Sequence, residues 1–310
     1  MSTAHFYPVG TPGVPWGAQE RLQWRDRQVR SRSYHDDVAS RIERLAGRFE
    51  IVQYGQLSYG PDHYPLLAVK SLDWNPALPV ALVTGGVHGY ETSGVLGALR
   101  FAEERAGAYA GRVNVLVVPC VSPWAYERVS RWNYNAIDPN RNFGERRHAD
   151  ESSALLALLA PHLGRFLLHI DLHETTDTDI TEFRPALASR DGKPLAPETV
   201  PDGFYLVGDS ETTRLDFQTA IIDAVARVTH IAPPDEAGKI IGFPLSAPGV
   251  IEFPVRQSGL CAGATGATFT TTTEVYPDSP RTTPQECEEA QLTAIDAAFE
   301  FALAHVGHGR

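Results

Sequence analysis

The chain has 310 residues, 43% of them hydrophobic and 21% charged, and a formal charge of −11 from 38 acids against 27 bases. That length supports a substantial buried core, and the acidic balance argues against nucleic acid or an anionic membrane as the main partner. Three scattered cysteines, Cys120, Cys261 and Cys287, offer neither a disulfide framework nor a cysteine metal cluster.

The N-terminal stretch has no apolar signal core and no apolar run reaches membrane length, so a cytoplasmic location is expected. Residues 1–17 are rich in Pro and Gly and read as an arm over the surface. Residues 24–49 read as helix, with Val38, Ile42 and Leu45 at helical spacing. The basic stretch Arg21, Arg25, Arg27, Arg30 and Arg32 reads as a solvated face or a local contact. Two β-like runs follow, at 50–54 and 65–70, separated by the turn Gly60-Pro61-Asp62. A third run at 79–84 leads into Gly85-Gly86-Val87-His88-Gly89-Tyr90-Glu91 and then a helix over 93–106, with Val95, Leu96, Leu99 and Ala102 on one face.

Residues 113–119 are an apolar run of the kind buried parallel strands use, and 124–143 form a polar, aromatic loop. A short helix is expected at 152–159, a strand at 166–173 and another at 204–207, then a helix over 212–228. The Gly-, Ala- and Pro-rich stretch 231–267 reads as a long excursion with one short strand near 250–253. Residues 268–276 are β-branched and aromatic, hence strand. The closing helix is announced by Thr283-Pro284-Gln285-Glu286, with a buried stripe of Leu292, Ile295, Phe299 and Leu303. This alternation predicts a single α/β domain over 1–310, with a mixed, largely parallel twisted sheet flanked by helices on both faces.

Four constellations carry chemistry. His88 and Glu91 sit where a strand hands over to a helix, the usual ligand crevice of an open α/β sheet. In Asp138-Pro139-Asn140-Arg141-Asn142-Phe143, Arg141 presents a planar fork suited to a carboxylate and Asn140 adds an amide. In the strand at 166–173, His169, Asp171 and His173 share one face, which is costly in a core unless they pair or serve a site. His173, nearest the strand end, reads as a metal ligand, Asp171 as a group that orients an imidazole, and His169 as a satisfied core histidine. Glu274, inside a β-branched strand, reads either as an edge-strand acid facing solvent or as a water-activating base, with Glu252 as its competitor.

Taken in order, GGVHGYE, SRWNYNAIDPNRNF, DLHET and the late strand-borne Glu274 resemble the zinc carboxypeptidase (carboxypeptidase A/B) superfamily, together with its succinylglutamate desuccinylase and aspartoacylase relatives. The resemblance spans roughly residues 80–276. It implies one Zn2+ per chain on His88, Glu91 and His173, a ligand set known for carboxypeptidase A. It implies Glu274 as general base, Arg131 as the arginine that polarises the scissile carbonyl, with Arg128 as the alternative, and Asn140 with Arg141 as the clamp on a terminal carboxylate. The expected activity is metallocarboxypeptidase cleavage next to a free C-terminal carboxylate. The expected substrate is a peptide or an N-acyl amino acid with a free carboxylate.

Two features depart from the pattern. No tyrosine lies between Tyr205 and Tyr276, where the peptidases carry a mobile one. The deacylase branch places a β-rich domain after its catalytic glutamate, whereas here little more than one helix follows Glu274, which tilts the reading toward the peptidase side. The phrases HGYET and DLHET keep the deacylase as the alternative. A non-catalytic metal- or peptide-binding module on the same scaffold is a third reading, and a flavodoxin-like nucleotide binder lacks a glycine fingerprint. Arg256 and Glu252, near the excursion, are expected near a specificity pocket.

Overall fold

Two short apolar runs form the middle of the sheet. In the structure, a computed structural model that describes residues 7–145, 148–196 and 199–306, β3 (Val80–Gly85) and β4 (Asn114–Val118) are buried along their whole length. Such strands pack on both faces and need no polar side. Before them, β1 (Phe49–Tyr59) and β2 (Asp62–Ser71) form a hairpin; after them comes β5 (Phe166–Glu174), then β6 (Tyr205–Asp209). The excursion supplies β7 (Lys239–Ile240), β8 (Phe243–Ala247) and β9 (Val250–Phe253), and β10 (Phe269–Val275) completes the set.

The ten strands form one open sheet in the order β1-β2-β4-β3-β5-β10-β6-β9-β8-β7. The centre, β4-β3-β5-β10, is parallel, while both wings are mainly antiparallel. β3 has β4 on one side and β5 on the other, so successive crossovers leave it in opposite directions. That reversal opens a crevice beyond the carboxyl ends of β3 and β5.

Alternation along β3 assigns its two faces. Ala81 and Val83 join Ile170, Leu172, Val95, Leu99, Ile221, Ile295 and Phe299, which brings helices Thr92–Arg100, Leu215–Val225 and Pro284–Ala304 onto one side. Val80 and Leu82 meet Leu116, Phe166, Leu155 and Leu159 of helix Asp150–Leu159 on the other. The final helix starts as its sequence predicts: the Thr283 hydroxyl accepts the Glu286 N–H at 3.2 Å, with Pro284 in the first turn.

Several local expectations change. The helix expected over 24–49 is broken, because helix Ala18–Asp26 ends and helical structure resumes only at His35. The reason is tertiary: Arg30, the N–H groups of Ser31 and Arg32, and the N–H of Tyr34 all turn to buried Glu127. β7 and β8 had no periodicity to announce them, being two and five residues long and half-exposed. The short helices Pro123–Arg128 and Arg184–Arg190 were missed for the same want of length. The N-terminal segment is anchored, with Tyr7, Val9 and Trp16 buried and the Trp16 indole donating to Ser189 Oγ at 3.0 Å. Cys120, Cys261 and Cys287 are buried free thiols. Among the described residues no helix is long and apolar enough to cross a membrane.

Candidate active site

Two glycines let the chain after β3 deliver its histidine. Gly86 has φ +59°, in the region that favours glycine, and a Cβ on Gly89 would lie 2.0 Å from the Ala125 backbone. The loop therefore lies flush against helix Pro123–Arg128, and His88 and Glu91 emerge at the crevice. β5 brings His173 to the same end.

His88, Glu91 and His173 converge. All three are buried, and one ligating atom from each lies within 4.8 Å of the others. His88 Nδ1 is 2.7 Å from Glu91 Oε1, and His173 Nδ1 is 2.7 Å from Oε2. The far nitrogen of each ring meets another carboxylate: His88 Nε2 lies 3.0 Å from Asp138 Oδ1, and His173 Nε2 lies 2.8 Å from Asp171 Oδ2. A proton on each Nε2 satisfies those contacts and leaves two Nδ1 lone pairs facing the Glu91 oxygens. Glu91 Oε2 is moreover buried with no hydrogen bond, because its approach to His173 lacks hydrogen-bond alignment. Acceptors turned toward acceptors in a dry pocket call for a cation between them.

Without a metal, protons do that work. Burial disfavours the His173 imidazolium, yet Glu91 and Asp171 raise its pKa well above the usual value. Burial would raise Glu91, but the two histidines pull it down to about 2. Two imidazole nitrogens and one carboxylate are a donor set that suits zinc with an open fourth position.

Arg131 lies beside this group. Its Nη1 donates to the Tyr90 hydroxyl at 2.8 Å and approaches Asp179 Oδ1 at 3.5 Å and Glu91 Oε1 at 3.9 Å, while Nε reaches Asp138 Oδ2 at 3.3 Å. The guanidinium stacks 4.3 Å from the Phe183 ring centre. Burial disfavours its charge, but Tyr90, Asp138, Asp179 and Glu91 hold its pKa well above the ordinary value. Asp138 thus grips His88 with one oxygen and Arg131 with the other, and these two partners, Arg131 foremost, keep it well below the usual carboxylate range despite its burial.

Glu274 pairs in register with His173 across the β10–β5 ladder. Its Oε2 accepts from the Thr175 hydroxyl at 2.9 Å, and Thr175 Oγ1 lies 2.8 Å from the Tyr205 hydroxyl. Burial and the nearby Glu91 push its pKa up to about 8, against the pull of His173. Asn140 is buried, with Oδ1 accepting the Cys261 N–H at 2.7 Å and Nδ2 3.3 Å from His173 Nε2. Arg141 donates to the Asn140 carbonyl at 2.7 Å and lines a cavity of about 620 Å³ that also touches Arg131 and Asp138.

Three alternatives from the sequence fall elsewhere. Arg128 is committed to Asp62 at 3.0 Å and the Tyr64 hydroxyl at 3.1 Å, on the hairpin. Glu252 sits on β9, two strands from β10 and level with Thr271, toward the end away from His173. Arg256 lines a separate cavity with Thr268 and Thr270, at the opposite end of β10 from Glu274. His169 is a core histidine held between Thr84 at 3.1 Å and Thr265 at 3.2 Å, and burial lowers its pKa to about 4. The sequence reading passed over Asp138, Tyr90, Asp179, Thr175 and Tyr205. Asp138 stands in the motif that holds Asn140 and Arg141, and its place two residues before Asn140 is the one signal the sequence offers for it.

Residues 77–191 match the sequence model of the succinylglutamate desuccinylase/aspartoacylase catalytic domain. That span holds His88, Glu91, Arg131, Asn140, Arg141 and His173, and Glu274 lies beyond it. No curated protein sequence matches the chain. Among solved structures, a candidate metallopeptidase of Shewanella denitrificans is 18% identical with a TM-score of 0.65, over 87% of this chain and 89% of that one. Carboxypeptidase A of Helicoverpa armigera is 15% identical with a TM-score of 0.59, over 93% and 81%. A metallo-carboxypeptidase of Pseudomonas aeruginosa, in complex with (2-guanidinoethylmercapto)succinic acid, is 13% identical with a TM-score of 0.57, over 96% and 70%. At such identities the likeness is one of fold. Together with the match at 77–191 it bears out the resemblance to the zinc carboxypeptidase-like superfamily, desuccinylase and aspartoacylase relatives included.

Proposed function

On the premise of a zinc carboxypeptidase-like fold, we propose that the chain is a zinc-dependent hydrolase of an amide whose amine side carries a free carboxylate. The first reading is a metallocarboxypeptidase that removes a C-terminal residue. The observation that carries it is the approach of two imidazole Nδ1 atoms to the two oxygens of buried Glu91, of which Oε2 has no hydrogen bond of its own.

One zinc ion held by His88, Glu91 and His173 would supply a water of lowered pKa and a Lewis acid at the carbonyl. Asp138 and Asp171 orient the two imidazoles from behind. Glu274, positioned through Oε2 by Thr175, takes the proton of the attacking water at Oε1 and returns it to the leaving amine. Arg131 donates to the carbonyl oxygen as negative charge develops there. Arg141 binds the carboxylate next to the scissile amide with its planar fork. The Nδ2 amide group of Asn140, whose Oδ1 is taken by the Cys261 N–H, is offered to the same carboxylate.

A second reading, an N-acyl amino acid deacylase, is favoured by the family match at 77–191. It uses the same residues and differs in what lies on the acyl side. The test is zinc quantification beside a panel of peptides, their C-terminal amides and N-acyl amino acids, run with Glu274→Gln. The expected result is one zinc per chain in both proteins and a loss of turnover of about 10²–10⁴-fold in the variant. Full activity in Glu274→Gln would remove the mechanism. Zinc binding with no cleavage across the panel would favour a non-catalytic module instead.

A further inference from the structure

Arg131 and Asp138 lie on a segment whose backbone is held in an unfavourable shape. Val129 and Ala136 have φ of +50° and +54°, in the left-handed region that non-glycine residues rarely adopt. Such conformations persist where the surrounding structure over-determines them, and they gather at functional sites. Asn133, between them, is buried and holds the second of these turns. Its Oδ1 accepts the N–H groups of Asn135 at 3.0 Å and Ile137 at 3.1 Å, the residues that flank Ala136. Its backbone carbonyl accepts the Ala136 N–H at 2.9 Å, and its own N–H donates to the Ile137 carbonyl at 3.0 Å.

The Asn133 side chain is tied down in turn by Glu151, in the first turn of helix Asp150–Leu159. Asn133 Nδ2 donates to Glu151 Oε2 at 3.2 Å, and Glu151 Oε1 lies 3.4 Å from Ser122 Oγ. All three side chains are buried. Ser122 has a single hydroxyl proton, which goes to the Val87 carbonyl at 2.8 Å, one residue before His88. The contact with Glu151 is therefore completed by a proton on the carboxyl, which Ser122 Oγ accepts. Burial first, and Asp150 beside it, favour that neutral form and raise the pKa to about 7 against its hydrogen bonds. Tyr54 and Tyr59 of β1 also face Glu151, and burial raises both hydroxyls above the usual tyrosine value. Ser152, the next residue of the helix, donates to the Pro139 carbonyl at 2.9 Å, so the chain is fixed on both sides of Asp138.

We propose that Glu151 and Asn133 are positioning residues for the hydrolysis: through them one buried carboxyl joins the segment bearing Arg131 and Asp138 to the loop bearing His88. The part played by Arg131 rests on the hydrolase reading above; the linkage itself does not. Once ionised, Glu151 turns a lone pair toward Ser122 Oγ, and Ser122 can meet it only by withdrawing its proton from Val87. A single proton thus decides whether both loops are held at once.

The test compares the full zinc-loaded parent with Glu151→Gln and Glu151→Leu. Glutamine keeps an acceptor for Asn133 and a donor for Ser122 but cannot ionise, whereas leucine fills the space and breaks both bonds. Amide hydrogen exchange across residues 130–138 is measured beside kcat and KM, at about pH 6 and about pH 8.5, either side of the Glu151 value. At the lower pH the glutamine variant should match the parent throughout. The leucine variant should lose about tenfold or more in kcat with KM within about twofold, because Arg131 acts on the transition state. At the higher pH the parent should exchange these amides at least about threefold faster than the glutamine variant, with kcat lower by a similar factor. Equal exchange in parent and glutamine variant at the higher pH overturns the proposal, as does a folded leucine variant with the parental kcat. A difference in exchange that leaves kcat equal also overturns it, since the linkage would then serve the fold alone. If the leucine variant does not fold, the parent and glutamine variant decide at the higher pH. Faster exchange in the parent without cleavage of any amide would keep the linkage and remove the hydrolase; turnover with no such difference would do the reverse.

Discussion

Replacing Asp138 with Asn tests the centre where it is most tightly connected. The carboxylate accepts His88 Nε2–H at 3.0 Å and the Asn140 N–H at 2.9 Å through Oδ1, and Arg131 Nε–H at 3.3 Å through Oδ2. An amide has one acceptor and one donor end, so it cannot serve both sides. With its oxygen toward His88, its NH2 points at the Arg131 guanidinium. Turned round, it donates to His88 Nε2 and drives the ring proton to Nδ1, the atom needed for the metal. Either outcome also removes the buried negative charge that faces Arg131. Losing such a carboxylate behind a ligating histidine weakens metal binding by roughly 10–100-fold, or about 1.4–2.8 kcal/mol. The assay is zinc competition against a chromophoric chelator, with circular dichroism to confirm the fold. Turnover should fall further than the zinc loss explains, because Arg131 loses its anchor as well. Zinc affinity of Asp138→Asn within error of the parent would refute the assignment of His88 as a ligand held from behind.

Two further predictions concern stability. Glu151 is buried against Asn133 at 3.2 Å and Ser122 at 3.4 Å, and burial pushes its pKa up to about 7. The folded chain therefore holds a proton there that the unfolded chain has lost, so stability falls as pH rises from about 4.5 to about 7 and stays lower above that. Glu151→Gln should raise the unfolding free energy measured in urea at pH above about 8, by up to roughly 3 kcal/mol, and change it little near pH 4.5. A larger gain at the acidic end would contradict the reasoning. Gly89→Ala should destabilise the chain by about 3 kcal/mol, since the new methyl group meets the Ala125 backbone and not a movable side chain. An unchanged thermal midpoint would show that the loop and helix Pro123–Arg128 can separate without cost.

Much of the site was legible because its chemistry is local in sequence. A histidine and a glutamate three residues apart after an apolar strand, a histidine at a second strand's end, and an Asn-Arg pair are patterns of residue type and position. The alternation of β5 correctly separated His173 from the Ile170 and Leu172 face. The central strands were equally plain, since six and five consecutive buried positions leave an uninterrupted apolar run. β7 and β8 were not, because at half-exposed edges no periodicity is imposed.

Sequence alone thus determined the central strands, the closing helix and the residues able to hold a metal, because strand and helix periods and turn chemistry act over a few residues. Only the tertiary structure decided their partners. It gave Asp138 to both His88 and Arg131, and Thr175 to Glu274. Those pairings join parts of the chain that no local pattern relates, and they form because a buried charge must find its counterpart wherever the fold brings one.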